Sequence, residues 1–233
     1  MEKAKGKLYL VATPIGNLED VTVRALSVLR NVSFIAAEDT RRTRTLLTRY
    51  GISRPLVSYH DFNKRRAGPA IVGRMLAGED CALVSDAGSP CISDPGYLVV
   101  NLSVSEGIEV VSIPGPSSII SALQISGLPT DRFAFEGYLP KKGGKRLKKL
   151  RSLASEERTI VVFESPNRAS ATLGEMLEAF GDRRVAICRE LTKVFEEVLR
   201  LRLSEASERF SGKKLRGEVV LVVEGNREGP QES

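Results

Sequence analysis

The chain has 233 residues, 42% of them hydrophobic and 27% charged, with a formal net charge of +6. That is enough apolar material to bury one large or two small cores, and the positive excess suits a polyanionic partner. Cys81, Cys91 and Cys188 show no CxxC spacing, no apolar run approaches membrane-spanning length, and charged Met1–Lys7 leads straight into a strand; a disulfide framework, a metal site, a membrane anchor and a secretion signal are therefore not expected, and a reducing cytoplasm is.

Leu8 to Ala12 reads as a short apolar strand that stops at Thr13-Pro14-Ile15-Gly16-Asn17. Asp20 and Thr22 can cap a short buried helix carrying Val21, Val23, Ala25, Leu26, Val28 and Leu29. Val32 to Ala37 is a second strand, ending in Glu38-Asp39-Thr40-Arg41-Arg42-Thr43, which is either a mutually neutralised network or the polar rim of an active site. Pro55 to Tyr59 is a third strand, and the single histidine of the chain, His60, lies just past its end beside Asp61 and Lys64. Ala67 to Ala77 reads as a helix, Cys81 to Ser85 as a fourth strand, Tyr97 to Glu106 as a helix, and Gly107 to Ile113 as a fifth strand ending at Pro114-Gly115-Pro116-Ser117-Ser118. Strands alternating with helices argue a five-stranded parallel sheet in an N-terminal α/β domain over residues 1–115.

The loop after the fourth strand, Asp86 to Gly96 (DAGSPCISDPG), stands out. Gly88 and Gly96 can take backbone angles closed to other residues, Pro90 and Pro95 fix φ, and Ser89, Ser93 and Asp94 can bond neighbouring amides. Ligands of open α/β sheets sit outside the carboxyl ends of strands, so this loop and its neighbours are where a ligand is expected.

Beyond Pro116 a second α/β pattern begins. Ile119 to Ile125 and Ala169 to Phe180 read as helices, with another near Lys145 to Ala154. Phe133 to Tyr138, Thr159 to Phe163, Val185 to Arg189, Val198 to Leu203 and Val219 to Val223 read as strands. The last three lie close together, which predicts a mixed sheet in a domain over 119–225, followed by a frayed polar tail at 226–233. Within this half, Lys141 to Arg151 places seven cations in eleven residues with no acid before Glu156. Such a run is an ordinary solvated helix face or a phosphate-binding surface; with little aromatic interleaving, base stacking is not indicated.

TPIGNLED (Thr13 to Asp20), EDTRRT (Glu38 to Thr43), YHDFN (Tyr59 to Asn63), SDAGSPCISDPGY (Ser85 to Tyr97), PGPSS (Pro114 to Ser118), GLPTDRFAFEGYLP (Gly127 to Pro140), FESPNR (Phe163 to Arg168), RELTK (Arg189 to Lys193) and GEVVLVVEG (Gly217 to Gly225) occur in this order. The series resembles the bacterial 16S rRNA (cytidine 2′-O)-methyltransferases of the tetrapyrrole-methylase superfamily. The resemblance spans Lys7 to Gly225 and implies two α/β domains, a cleft between them for S-adenosylmethionine, a homodimer, and methylation of a decoding-centre cytidine ribose. This chain departs from the family pattern at Phe62-Asn63-Lys64, in place of His-Asn-Glu, at Asn167, in place of histidine, and at Ser89, in place of threonine.

Backbone amides and short hydroxyls suit a ligand with an adenosine and an amino-acid end. Pro14, Gly16, Asp86, Ala87, Gly88, Ser89, Ser117 and Ser118 are the expected donor-binding residues. A ribose hydroxyl needs a base, or cations that favour its oxyanion, to become a nucleophile. The candidate bases are Glu38, Asp39, His60 and Asp61, with Arg41, Arg42 and Lys64 as electrostatic partners. His60 ranks first because imidazole titrates near neutrality, with Asp61 orienting it. Lys141, Lys142, Lys145, Arg146, Lys148 and Lys149 are expected on RNA phosphates. Two other readings stay open: a non-catalytic ribosome-associated RNA-binding protein, and a methyltransferase acting on a small tetrapyrrole.

Overall fold

The computed structural model describes residues 4–227, and the chain divides into two compact units, Met1–Ser117 and Ser118–Ser233. Residues 228–233 of the expected tail lie outside the described residues. Asn226 and Arg227 are not frayed: the Asn226 N–H donates to the Glu156 carbonyl at 2.6 Å and Arg227 reaches Asp131 at 2.6 Å. Among the described residues no helix is long and apolar enough to cross a membrane, and no three His, Cys, Asp or Glu side chains group as metal ligands do.

The first unit holds five strands, β1 (Leu8–Val11), β2 (Phe34–Ala37), β3 (Leu56–Ser58), β4 (Cys81–Val84) and β5 (Val110–Ile113), all parallel, in the order β3-β2-β4-β1-β5. Between them run α1 (Val23–Asn31), α2 (Thr40–Arg49), α3 (Lys64–Leu76) and α4 (Gly96–Ser105). Every residue of β2 and β4 is buried, which follows from helices on both sheet faces. The side-chain period of two sorts them. Phe34, Ala36, Cys81 and Leu83 pack with Ile71, Met75 and Val99 of α3 and α4, whereas Ile35, Ala37, Ala82 and Val84 pack with Ala25, Leu29 and Leu47 of α1 and α2. Thr22, not Asp20, caps α1, its hydroxyl accepting from the Ala25 N–H at 3.1 Å.

The second unit pairs β6 (Phe133–Tyr138), β7 (Thr159–Glu164), β8 (Arg184–Arg189), β9 (Glu197–Arg202) and β10 (Val219–Val223) in the order β6-β7-β10-β8-β9. Only β6 and β7 are parallel; the other three pairs are antiparallel, so the sheet is mixed. Helices α6 (Gly143–Ser152), α7 (Ala169–Phe180) and α8 (Leu203–Phe210) enclose a core of Leu150, Leu173, Met176, Leu203, Leu221 and their neighbours. Helix α5 (Ser118–Ser126) packs on strands β8, β9 and β10. Burial pushes the thiols of Cys81 and Cys188 up to about 12, which keeps both as inert core groups.

Candidate active site

All five strands of the first unit are parallel, so their carboxyl ends share one edge, and the loops leaving them are cross-linked there. The Thr13 N–H donates to the Gly88 carbonyl at 2.9 Å and the Gly88 N–H returns a bond to the Thr13 carbonyl at 3.0 Å. Gly88 has φ +77°, and a Cβ on it would lie 3.5 Å from Ile15 and 3.7 Å from the Pro116 carbonyl. The loops after β1, β4 and β5 thus close on one point. Pro14, Ser89 and Ser117 are half-buried in these loops while Gly16 and Ala87 face solvent; Ser118, also half-buried, opens the second unit. Exposed backbone beside short hydroxyls and small apolar groups fits an adenosyl amino acid, with room that a larger side chain would take.

The rest of the β4 loop is held under strain. Cys91 and Ser93 sit at φ 71° and 65°, a conformation that costs about 1 kcal/mol or more for each such residue. Asp94 pins them: its Oδ1 accepts from the N–H groups of Cys91 at 2.9 Å and Gly96 at 2.7 Å, while Oδ2 is buried without a partner. Burial raises the Asp94 carboxyl above the usual carboxylate range. The buried Tyr59 hydroxyl donates to the Pro95 carbonyl at 3.0 Å and accepts from the Val99 N–H at 3.2 Å, tying β3 to the same loop.

Acids and arginines meet between β2 and β4. Asp86 accepts from the Asp39 N–H at 2.9 Å and faces Arg42 at 3.6 Å. Asp39 caps α2 through the Arg41 N–H at 2.8 Å and pairs with the Arg41 guanidinium at 2.7 Å, which holds its carboxyl well below the usual range. Asp39 therefore serves as a helix cap and not as a base. Glu38 differs. It is half-buried, and burial followed by the Asp86 charge raises its carboxyl above the ordinary value, with only a 3.4 Å contact from the Asp86 N–H in opposition.

His60 lies at this edge, but Asp61 does not orient it. The Asp61 carboxylate is taken by Lys64 at 2.7 Å, one turn away at the start of α3, while His60 Nδ1 is buried without a partner. Phe62 is fully open to solvent, edge-on to the imidazole at 6.0 Å between centroids.

The expected phosphate-binding run is divided by its fold. Helical spacing turns Arg146 inward, 5% exposed, where it forms two bonds to Glu175 of α7 at 2.6 and 2.7 Å. Lys149 pairs with Glu136 at 2.6 Å and Arg151 with Glu178 at 2.7 Å. Acids distant in sequence thus neutralise three of the seven cations, and Arg146 and Lys149 are corrected from RNA ligands to internal partners. Lys141, Lys142, Lys145 and Lys148 remain exposed with no acidic partner among the described residues. Arg146→Ala is expected to cost about 3 kcal/mol of stability, because it leaves Glu175 partly buried and unpaired. Lys145→Ala should stay within about 0.5 kcal/mol of the parent. Urea titration of both variants measures the difference.

Residues 7–207 match the tetrapyrrole (corrin/porphyrin) methylase family. The chain is 50% identical over 220 residues to ribosomal RNA small subunit methyltransferase I of Thermotoga maritima, covering 94% of this chain and 99% of that one. It is 49% identical over 224 residues to the protein of the same name from Halalkalibacterium halodurans, covering 96% and 78%. Among solved structures it matches uroporphyrin-III C-methyltransferase of Thermus thermophilus in complex with S-adenosyl homocysteine, at TM-score 0.68 and 21% identity over 94% of this chain and 97% of that one. A cobalamin biosynthetic enzyme, cobalt precorrin-4 methyltransferase, matches at TM-score 0.70 and 18% identity over 94% of each chain. At such identities these two structures bear on the fold.

Proposed function

The chain belongs to the tetrapyrrole methylase family and, within it, to the ribosomal RNA small subunit methyltransferase I group, and from that premise we propose that it methylates the ribose 2′-oxygen of a decoding-centre cytidine in 16S rRNA. The observation that carries the reading is the 50% identity with the Thermotoga maritima protein, sustained across 99% of that relative's length. The enzyme is S-adenosylmethionine-dependent, and it works in the cytoplasm on RNA of the small ribosomal subunit, as a homodimer. The four exposed lysines of α6 and its entry loop favour a polyanionic substrate over a small tetrapyrrole. Mass mapping of ribose methylation in 16S rRNA, with and without the protein, tests the reading. One added methyl on a cytidine ribose is expected, and none would overturn it.

S-adenosylmethionine, once bound, supplies an electrophilic methyl group for in-line displacement by the ribose oxygen. This chain's contribution is placement and proton transfer. Gly88 and its flanking residues Asp86, Ala87 and Ser89, with Pro14, Gly16, Ser117 and Ser118, would hold the donor; the Thr13–Gly88 bonds keep the two loops from parting. Glu38, whose carboxyl burial raises, would receive the hydroxyl proton, and Arg41 and Arg42 would favour the developing oxyanion.

Phosphate contacts release counterions, so affinity falls with salt in proportion to their number. Replacing Lys141, Lys142, Lys145 and Lys148 together by alanine should flatten the slope of log affinity against log salt by about 3, at roughly 0.7 per contact on single strands. Donor affinity should be unaffected. An unchanged slope in RNA-binding titrations across salt would remove these lysines from the interface.

A further inference from the structure

The second unit gathers its polar motifs at one end of its sheet. Strands β6 and β7 finish there, β8 finishes at Arg189 opposite Glu197 of β9, and β10 begins at Val219 opposite Arg189 and Glu164. The end is rigid. Glu190 at φ 50° and Thr192 at φ 64° shape the turn from β8 to β9, and the Glu190 carboxylate accepts from the Glu218 N–H at 2.8 Å and pairs with Lys193 at 2.9 Å. Gly217 makes room for this: a Cβ there would lie 2.2 Å from the Glu190 carboxyl carbon.

That rigid turn presents Val194 at 93% and Phe195 at 80% exposure. At the end of β6, Tyr138 is 60% exposed and leans on Phe163 at 5.5 Å between ring centroids. Two aromatic platforms open to solvent therefore flank one sheet end, three to four strands apart, on the order of 15–19 Å.

The charges around them are one-sided. Glu164 is bonded to Arg168 at 2.6 Å, Glu197 to Arg189 at 2.5 Å, Glu218 to Lys193 at 3.2 Å, and Glu196 accepts from the Thr192 N–H at 2.5 Å. Lys213, Lys214 and Arg216, on the segment entering β10, are exposed with no acidic partner among the described residues. Arg216 is at this end, since its carbonyl accepts from the Arg189 guanidinium at 3.1 Å. Lys141 and Lys142 follow β6 directly. Exposed rings set among unpaired cations are the pattern of a single-strand nucleic-acid surface, in which bases stack and phosphates are neutralised.

Resting on the methyltransferase reading above, we propose that this end of the second sheet is a platform for single-stranded RNA, on which Tyr138 and Phe195 stack two different bases while Lys213, Lys214 and Arg216 hold the intervening phosphates. The surface adjoins Lys141 and Lys142 of the α6 entry loop and extends the contact to segments far away in sequence.

The test is binding of a single-stranded 16S-sequence oligonucleotide carrying 2-aminopurine, whose fluorescence is quenched on stacking; the chain has no tryptophan to interfere. Tyr138→Ala and Phe195→Ala should each weaken binding by about 5-fold or more and reduce quenching, with the salt slope retained, and Tyr138→Phe and Phe195→Tyr should restore both. Lys213→Ala with Arg216→Ala should instead flatten the salt slope by about 1.4, at roughly 0.7 per contact. Wild-type affinity and quenching in both alanine variants, with the parent enzyme still methylating rRNA, would overturn the platform and leave the enzymatic reading intact. Dissociation of a dimer by Phe195→Ala in sedimentation, with RNA affinity unchanged, would make the patch a protein interface and equally overturn it. A parent protein that neither binds nor methylates RNA would sink both readings.

Discussion

Gly88→Val is expected to weaken S-adenosylmethionine binding by about 100-fold or more while the protein stays folded. At φ +77° an L-residue pays about 1–2 kcal/mol, and a β-branched one more. The Cβ itself is tolerated, since it would lie 3.5 Å from Ile15 and 3.7 Å from the Pro116 carbonyl, ordinary contact distances. The damage comes instead from the backbone, which relaxes out of the left-handed region and loosens the two bonds shared with Thr13 at 2.9 and 3.0 Å. Strain of 1–2 kcal/mol together with about 1 kcal/mol from a weakened hydrogen bond is roughly the 2.7 kcal/mol that 100-fold requires. The γ methyls then occupy space between Ile15 and Pro116. Gly88→Ala separates the causes, because it keeps the strain and omits the bulk, so its loss should be smaller. Calorimetric titration with S-adenosylmethionine measures both variants, and parental affinity in the valine variant would remove Gly88 from the donor site.

The strand ends of the first unit were legible because glycine and proline punctuate each apolar run, and parallel pairing then puts every such end on one edge. The mixed second sheet was legible from three closely spaced strands. Two helices were not. In α2 the arginines and threonines conceal a buried stripe of Thr43, Leu46 and Leu47, so EDTRRT reads as a loop although Asp39 is a helix cap. In α8 only Leu203 and Ala206 are buried, and Leu203 reads as the end of the preceding strand; the helix signal is Glu205, whose carboxylate accepts from the Arg202 N–H at 2.9 Å. The pairing of Arg146 with Glu175 and the placement of Tyr138 at the same sheet end as the β8–β9 turn depend on long-range packing, which local sequence does not express. The expectation that Asp61 orients His60 failed for a local reason: Lys64 opens α3 and captures the carboxylate.

That capture redirects the choice of base. His60 follows β3, two strands from β4, with Nδ1 buried and unpartnered, whereas Glu38 follows β2, immediately beside β4, and its carboxylate meets the Asp86 N–H of the donor loop at 3.4 Å. Burial and then the neighbouring Asp86 charge raise the Glu38 carboxyl, with Asp94 and Asp61 adding in the same direction. Asp86 is engaged by the Asp39 N–H and by Arg42, whereas among the described residues the Glu38 carboxylate meets only the Asp86 N–H at 3.4 Å, so of the two acids Glu38 is the freer to take a proton. A base must be ionised to act, so the rate should rise with pH through a Glu38 titration displaced upward from that of an ordinary glutamate. Glu38→Gln keeps the shape, removes the proton acceptor, and is expected to lower the single-turnover rate at saturating donor and RNA by about 100-fold or more. The rising acid limb of the pH profile should vanish with it. His60→Ala should cost less than about 10-fold if imidazole only packs against the loop; a loss of about 100-fold with an altered pH profile would instead return the proton to His60. Undiminished rates in both variants would mean that alignment of the hydroxyl with the methyl group carries the catalysis, because a well-positioned pair gains most of its advantage from orientation alone.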